Sequence, residues 1–479
     1  MGLQLRWTHA TLSPPRPATS APPPHMPATP RPHLNTVAVP IVGEFLLGMS
    51  VAMGGLWLAS HTSDAAAGTF GLSIQVLETL FVLFRVLAIG VGVVTTQALG
   101  GRQHEAARRT ALVGLGASTW AGVAAALCVV LGNDAILDVL NAPDEILPLA
   151  APYLQWLAPA LVLEAYNLTM AAILRAHLHA RQSLQIMVAM HGTHLLLAIP
   201  LMLGIEIGGI DWDGMGLYGY ALALIVSRAL GLVLHLWMWK RLMALAPESR
   251  DWWSVPLQYL KPVLRIGLPG ATVELVYRVA FMVSLATTAK LGVAALATHS
   301  YTLQTLKYVL LVSMSIGWAC EIMVGRLVGS GDLRTAHQLV NKGLRNGFLA
   351  SGGLAVAAAL GAPWLMRAFT KDPAIIQAAQ TLLFIAIALE TGRAFNLIVN
   401  GALRAAGDVI YPVAAGVASL VLVLGVGSYT LGRAYGLPGI FVAYAADEWI
   451  RGLLLQARWA WLGWVPHARN TQRRVRWRR

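Results

Sequence analysis

Leu174-Arg175-Ala176 returns 229 positions later as Leu403-Arg404-Ala405. The same offset carries Pro40 to Pro269, Ala65-Ala66 to Ala294-Ala295 and Thr69 to Thr298. It also carries Gly100 to Gly329, Ala107 to Ala336 and Asn167 to Asn396, without a gap from Pro40 to Ala176. The chain around these matches is nearly all apolar. Two copies of a hydrophobic bundle, side by side, point to a transporter built from two lobes.

Composition agrees. Of 479 residues, 57% are hydrophobic and 12% charged. Soluble domains run at about 25% charged, so the chain reads as a polytopic membrane protein. Apolar stretches of roughly 20 residues recur along the length, and such stretches cross a bilayer as helices because lipid offers an open backbone no partner. Alternating segments of the outer-membrane barrel kind do not occur. The net charge of +13 matches the Lys and Arg excess that membrane proteins keep on the cytoplasmic side. It is scattered over loops, which argues against nucleic-acid binding. Cys128 and Cys320 both fall in apolar segments, so neither a disulfide framework nor a metal-ligand cluster is indicated.

The fold expected is all-α, with twelve transmembrane helices in two six-helix lobes. A Pro-rich stretch, 1–36, reads as a disordered tail without a secretory signal. Spans are expected near 38–60, 69–98, 107–131, 149–175, 181–204 and 215–240, then 262–289, 298–325, 340–368, 376–404, 410–432 and 437–462. The first six make an N-lobe, 37–240. A link, 241–261, leads to a C-lobe, 262–464, and a basic tail, 465–479. Even-numbered gaps are basic (Arg102, Arg108, Arg109, then Arg181, then Lys240, Arg241, Arg250, Lys261), and odd ones hold Asp134, Asp138, Asp144, Glu145, Glu206, Asp211 and Asp213. The positive-inside rule then puts both termini and the link in the cytoplasm. The basic end, with Arg469, Arg473, Arg474, Arg476, Arg478 and Arg479, is suited to anionic lipid.

Four runs carry a family likeness. Lys290-Leu291-Gly292-Val293-Ala294-Ala295-Leu296-Ala297 lies before the eighth span, Val324-Gly325-Arg326-Leu327-Val328-Gly329-Ser330-Gly331 at its end, and Ala402-Leu403-Arg404-Ala405-Ala406-Gly407-Asp408 at the end of the tenth. Gly436-Leu437-Pro438-Gly439 precedes the last. In this order, from Pro40 to about Trp464, the chain resembles the multidrug and toxic compound extrusion (MATE) family of the multidrug, oligosaccharidyl-lipid and polysaccharide flippase superfamily. Physically, Gly325, Gly329 and Gly331 are expected to let the eighth helix end in a tight turn. Arg326 and Arg404 are expected to face cytoplasm and anionic lipid.

Ionisable groups inside spans cost roughly 2.5–3.5 kcal/mol each on insertion scales, which singles out Glu44, Glu164, Glu274, Arg278, Glu321, Glu390, Arg393, Asp447 and Glu448, with His191 and His194. The family commonly binds its proton or sodium ion through carboxylates in the seventh and tenth helices, so the resemblance implies Glu274 and Glu390 as cation-coupling residues. Against that stand Arg278, four residues after Glu274, and Arg393, three after Glu390, either of which makes a fixed ion pair. Glu390-x-x-Arg393-x-x-Asn396 resembles a pattern in some bacterial members. The N-lobe departs from the family. Many members carry an aspartate in span one where this chain has Gly54, and an asparagine and an acid in span five where it has His194 and Ala198. Glu44 is then the remaining carboxylate of span one and a third coupling candidate. An ordinary imidazole is poised near neutrality, which offers His191 and His194 as titrating groups in place of the acids, while hydrogen-bonded core positions explain them as well. Asn167 and Asn396 are read as bonds between helices, with the substrate cleft as the alternative.

Enzymatic motifs fail. His104-Glu105-Ala106-Ala107-Arg108 starts like a zinc-protease helix but ends in Arg108. Asp211-x-Asp213 is half a calcium loop. The reading is secondary active efflux of an amphipathic, often cationic, compound by a monomer in the inner membrane. It uses no cofactor and is driven by H+ or Na+. One charge crossing 100 mV supplies about 2.3 kcal/mol, roughly 50-fold in concentration. The alternative is a lipid or lipid-linked oligosaccharide flippase, which needs Arg and Lys along its cleft; only Arg278 and Arg393 are expected mid-span. A membrane-embedded enzyme is disfavoured.

Overall fold

A computed structural model describes residues 33–140, 142–207 and 210–476. The expected tail, 1–36, lies almost wholly outside the described residues. Twelve long helices follow one another. In the N-lobe they are α1 (Leu34–Thr62), α2 (Asp64–Gly100), α3 (His104–Leu131), α4 (Leu147–Ala176), α5 (Ala180–Leu203) and α6 (Leu217–Met243). In the C-lobe they are α7 (Leu257–Ala289), α8 (Val293–Ser330), α9 (Leu333–Leu360) and α10 (Pro373–Ala406). The last two, α11 and α12, form one run, Ile410–Ala460, which divides at Gly436. A φ of +64° there is a conformation glycine adopts freely. A short antiparallel hairpin, Ile205–Ile207 with Ile210–Trp212, separates α5 from α6. Counting the α11–α12 run once, ten helices among the described residues are long and apolar enough to cross a membrane. The less apolar α9 completes the set.

Local chemistry sets the ends. Ser63 accepts from the Ala66 amide at 3.0 Å to start α2, and Asp332 from Thr335 at 3.1 Å to start α9. Asp372 caps α10 through Ala374, with Pro373 as its first residue. Gly331 closes α8 with a φ of +86°. Gly325 and Gly329 do not share that role. They lie inside α8, where a Cβ would overlap the Thr96 hydroxyl and the Gln97 carbonyl of α2.

The lobes meet through four helices related by the repeat. α1 packs on α8, where Leu34, Val37 and Ile41 share a core with Ala319, Cys320 and Val324. Its counterpart α7 packs on α2, where a Cβ on Gly90 or Gly267 would overlap the carbonyl of Val263 or Val86. At the α2 and α8 ends the contact is reciprocal. Gln97 Nε2 donates to the Ala405 carbonyl at 2.8 Å, and Arg326 Nε donates to the Ala176 carbonyl at 3.0 Å. Gln97 and Arg326 are repeat counterparts, as are Ala176 and Ala405. Gly100 abuts the Arg326 carbonyl just as Gly329 abuts that of Gln97. The seam is closed at this end.

The link lies along α3. Thr119 Oγ1 donates to the Trp252 carbonyl and Trp120 Nε1 to that of Trp253. The stretch expected as a basic tail forms a helix, α13 (Val465–Arg476). Val465 and Ala468, one turn apart, are buried, and Thr471 donates to the Ala406 carbonyl at 3.3 Å. That spacing gives the helix an apolar face with which to dock.

Candidate functional site

The C-lobe holds a buried polar network built from α10 and α12. Glu390, fully buried, accepts from Arg393 Nη1 at 2.5 Å. Arg393 Nε reaches Glu448 Oε1 at 3.2 Å, and Asn396 Nδ2 reaches Glu448 Oε2 at 2.7 Å. Arg451 joins Glu448 at 3.3 Å and Asp447 at 2.5 Å. Ser419, the last residue before a π-helical turn (Leu420–Val426) in α11, donates to Asp447 at 2.7 Å. Glu390 and Arg393 are three apart on α10, and Arg451 follows Asp447 by four and Glu448 by three on α12, so helical spacing sets those pairs. Three carboxylates face two guanidiniums. In their ordinary ionised forms they leave one negative charge over. Glu390 Oε2 is buried without a hydrogen-bond partner among the described residues. Arg393, Asn396, Glu448 and Arg451 line a space of about 1250 Å³ that also takes in Glu274 and Tyr277 of α7.

Glu274 is placed differently. A third of its side chain is exposed, and Arg85 of α2 reaches it across the lobes at 2.8 Å. Arg278 stands at 3.5 Å and Glu78 binds Arg85 at 3.4 Å. The expected Glu274–Arg278 pair is present but secondary to Arg85. Glu44, buried, is held by Arg175 at 2.6 Å, and Arg175 lies over the Trp318 ring of α8 at 5.2 Å. Arg175, Trp318, Arg85 and Glu321 line a mostly apolar space of about 560 Å³ between the lobes.

Two expectations are corrected here. Arg404, the counterpart of Arg175, does not face lipid: it binds Glu321 at 2.8 Å, while Arg326 is spent on the seam. Nor are Arg278 and Arg393 the only arginines within spans. Arg85, Arg175, Arg228, Arg404 and Arg451 join them. Each pairs with a carboxylate, Arg228 with Glu164 at 2.5 Å, so the interior carries arginines without an open cationic surface.

In the N-lobe, Asn167 joins helices as expected: its Nδ2 donates to the Arg228 carbonyl at 2.9 Å, and its Oδ1 lies 3.1 Å from His235 Nδ1. His194 is fully buried edge-on to Tyr220, centroids 4.6 Å apart, with neither ring nitrogen hydrogen-bonded among the described residues. The expected hydrogen-bonded histidine is therefore a packed one. Gly54 faces the Leu195 side chain, and Ala198 lies in an apolar core with Leu58, Phe70 and Tyr153. Around Gly54 and Ala198 this lobe is apolar.

The MatE family pattern matches the chain twice, over residues 40–200 and 269–430. The two matches begin at Pro40 and Pro269, the ends of the internal offset. The chain belongs to the MatE family. It is 28% identical over 431 residues to the uncharacterized transporter YisQ of Bacillus subtilis, covering 89% of this chain and 93% of that one. It is 25% identical over 383 residues to a probable multidrug resistance protein NorM of Thermotoga maritima, covering 78% and 80%. Among solved structures, the outward-facing conformation of a multidrug resistance MATE family transporter superposes with a TM-score of 0.80 at 18% identity, covering 90% of this chain and 96% of that one. The MatE chain is thus a multi-pass membrane transporter and not an enzyme.

Proposed function

We propose that this chain exports amphipathic, often cationic, organic compounds across the inner membrane, exchanging them for H+ or Na+. Both termini and the 241–261 link lie in the cytoplasm in this reading, so the closed seam is the inner gate and the cleft opens outward. The relatives named for multidrug resistance support it. The observation that carries it is Glu390: a fully buried carboxylate with one free oxygen, in a network one positive charge short. A proton or a sodium ion supplies that charge. Because Glu390 and Asn396 sit on α10 while Glu448 sits on α12, loading the site alters how those helices hold each other. An antiporter needs such a dependence, since a ligand shifts a two-state equilibrium only by its differential affinity for the states.

Glu274 serves the same cycle from the lobe interface. Its bond to Arg85 spans the cleft, so it must break and re-form as the lobes rock. Glu44, fixed by Arg175 at the same interface, is assigned to lobe contact. The paired arginines weigh against a flippase for pyrophosphate-linked sugars, which needs cationic side chains free to take the phosphates.

In sealed vesicles with an imposed pH or sodium gradient, Glu390→Gln should abolish dye export while the protein still folds. The amide keeps the shape and cannot carry the charge. Glu274→Gln should also abolish gradient-driven export. Normal rates in both variants would place coupling elsewhere.

A further inference from the structure

α13 lies across the closed end, and its two ends touch different lobes. Its root is fixed in the C-lobe. Trp464, fully buried, stacks on Trp459 of α12 with centroids 4.1 Å apart and donates Nε1 to the Trp459 carbonyl at 3.1 Å. Val465 and Ala468 share a core with Val328 of α8, Val340 of α9 and Ala402 of α10. Beside them the buried carboxylate of Asp408 binds Arg458 at 2.9 Å, with His467 of α13 at 3.8 Å. Farther along, Thr471 and Gln472 pass against Gly407 and Gly331, the glycines that end α10 and α8. Val475, one turn beyond Thr471, meets Gly101, which ends α2 in the N-lobe.

Three helix ends thus meet α13, and each is a glycine. At Gly331 and Gly407, φ values of +86° and +90° call for glycine whatever lies nearby. Gly101 has a φ of −78°, open to any residue. What it faces explains its missing side chain, because a Cβ there would overlap Val475 Cγ1. The internal repeat does not demand the contact. Ser330 stands at the counterpart of Gly101, and the counterpart of α13, 236–247, runs from α6 into the link, which lies along α3 instead. A helix of this length is a rod of about 18 Å. Rooted in one lobe, it cannot also follow the other when the two separate.

We propose that α13 is a strap on the closed seam: fixed in the C-lobe, it rests on α2 through Val475 and must lift from Gly101 before the lobes part at this end. The contact is made by a half-buried valine, so the strap biases the seam toward closure without locking it. The inference rests on the lobes moving against each other, as the proposed function requires, and not on cargo, coupling ion or orientation.

The test uses the purified full chain in a Cys128→Ser background, with no gradient and no cargo. Oxime-linked spin labels, which spare thiols, are carried by p-acetylphenylalanine placed at the exposed positions His104 of the N-lobe and Gln338 of the C-lobe. Pulsed EPR then gives the ratio of open to closed separation. Val475→Ser removes the methyl groups of a half-buried valine and should raise that ratio about fourfold. Arg473→Gln, on the exposed side of α13, should leave it within about twofold. A second arm traps the strap. Gly329→Ala loosens the seam, since its Cβ meets the Gln97 carbonyl. In that background Gly101→Cys and Val475→Cys stand within disulfide reach. Oxidation should leave the closed separation alone, and reduction should return the open one. An unchanged ratio in Val475→Ser, an equal rise in Arg473→Gln, or an oxidised protein that still reaches the open separation overturns the strap. Opening in Gly329→Ala without opening in Val475→Ser overturns the strap and leaves the moving lobes standing. A seam that opens in no variant overturns the strap together with the lobe motion on which it rests.

Discussion

Replacing Gly329 by alanine is expected to pry the lobes apart at the closed end. Gly329 lies inside α8, and its missing side chain lets the Gln97 carbonyl of α2 come close. A Cβ there overlaps an oxygen of the backbone, which cannot swing aside. The helix itself does not suffer, since alanine is favoured over glycine in a helix interior by about 0.8–1 kcal/mol. The cost therefore falls on the contact between lobes. Overpacking a tight contact costs about 1–3 kcal/mol, so the balance between closed and open seam shifts by about 5- to 150-fold. Gly100→Ala, the repeat counterpart, meets the Arg326 carbonyl and should shift the balance the same way. Gly353→Ala, whose Cβ meets open space on α9, should shift nothing. Spin labels at the exposed positions His104 and Ser330, one on each lobe, report the separation by pulsed EPR. A Cys128→Ser background removes the exposed thiol. Unchanged distances in both Gly100→Ala and Gly329→Ala refute the reasoning, as does an equal change in Gly353→Ala.

Reporter fusions at Asp213 and Glu248 should land on opposite sides of the membrane, and finding both on one side sinks the twelve-span topology. Glu44 and Arg175 are 4% and 7% exposed. Glu44→Gln alone leaves a buried guanidinium uncompensated, at about 3–5 kcal/mol, and should lower Tm; adding Arg175→Gln should recover part of the loss, and a single variant as stable as the parent excludes a buried Glu44–Arg175 ion pair. Burial pulls His177, in the α4–α5 turn, down to about 4. Its unfolded form titrates near 6.5, so its stability contribution is full above about pH 6.5 and is lost as pH falls toward 4. Tm should fall less steeply over that window in His177→Asn, and equal slopes in the two proteins exclude this histidine as a cause.

Legibility in the sequence followed the range of the contacts. The offset from Pro40 to Ala176 and the apolar runs specify two lobes and twelve spans, because hydrophobic length is local. The Glu390–Arg393 pair is equally local, three residues apart on one helix. Arg85, the stronger partner of Glu274, stands 189 positions away, and no spacing rule reaches it. Asp447 and Glu448 stood out as costly, but their place beside Glu390 depends on how α10 and α12 rotate against each other. Gly325 and Gly329 looked like turn formers beside Gly331. Their use is close approach between helices, which a lone sequence cannot distinguish from a bend. The cationic end looked like a loose tail because charge masked the Val465 and Ala468 spacing.

The reciprocal seam has the form of an isologous dimer interface, in which residue i of one subunit meets j of the other and j meets i. Here both partners lie on one polypeptide. A homodimer is bound to place the same residue at both symmetric positions, and a fused chain is not. Gln97 answers Arg326 at the seam, and Glu164 answers Arg393 in the interiors of the lobes. One polypeptide thus keeps a symmetric seam while the interiors of its two lobes take opposite charges at matching positions.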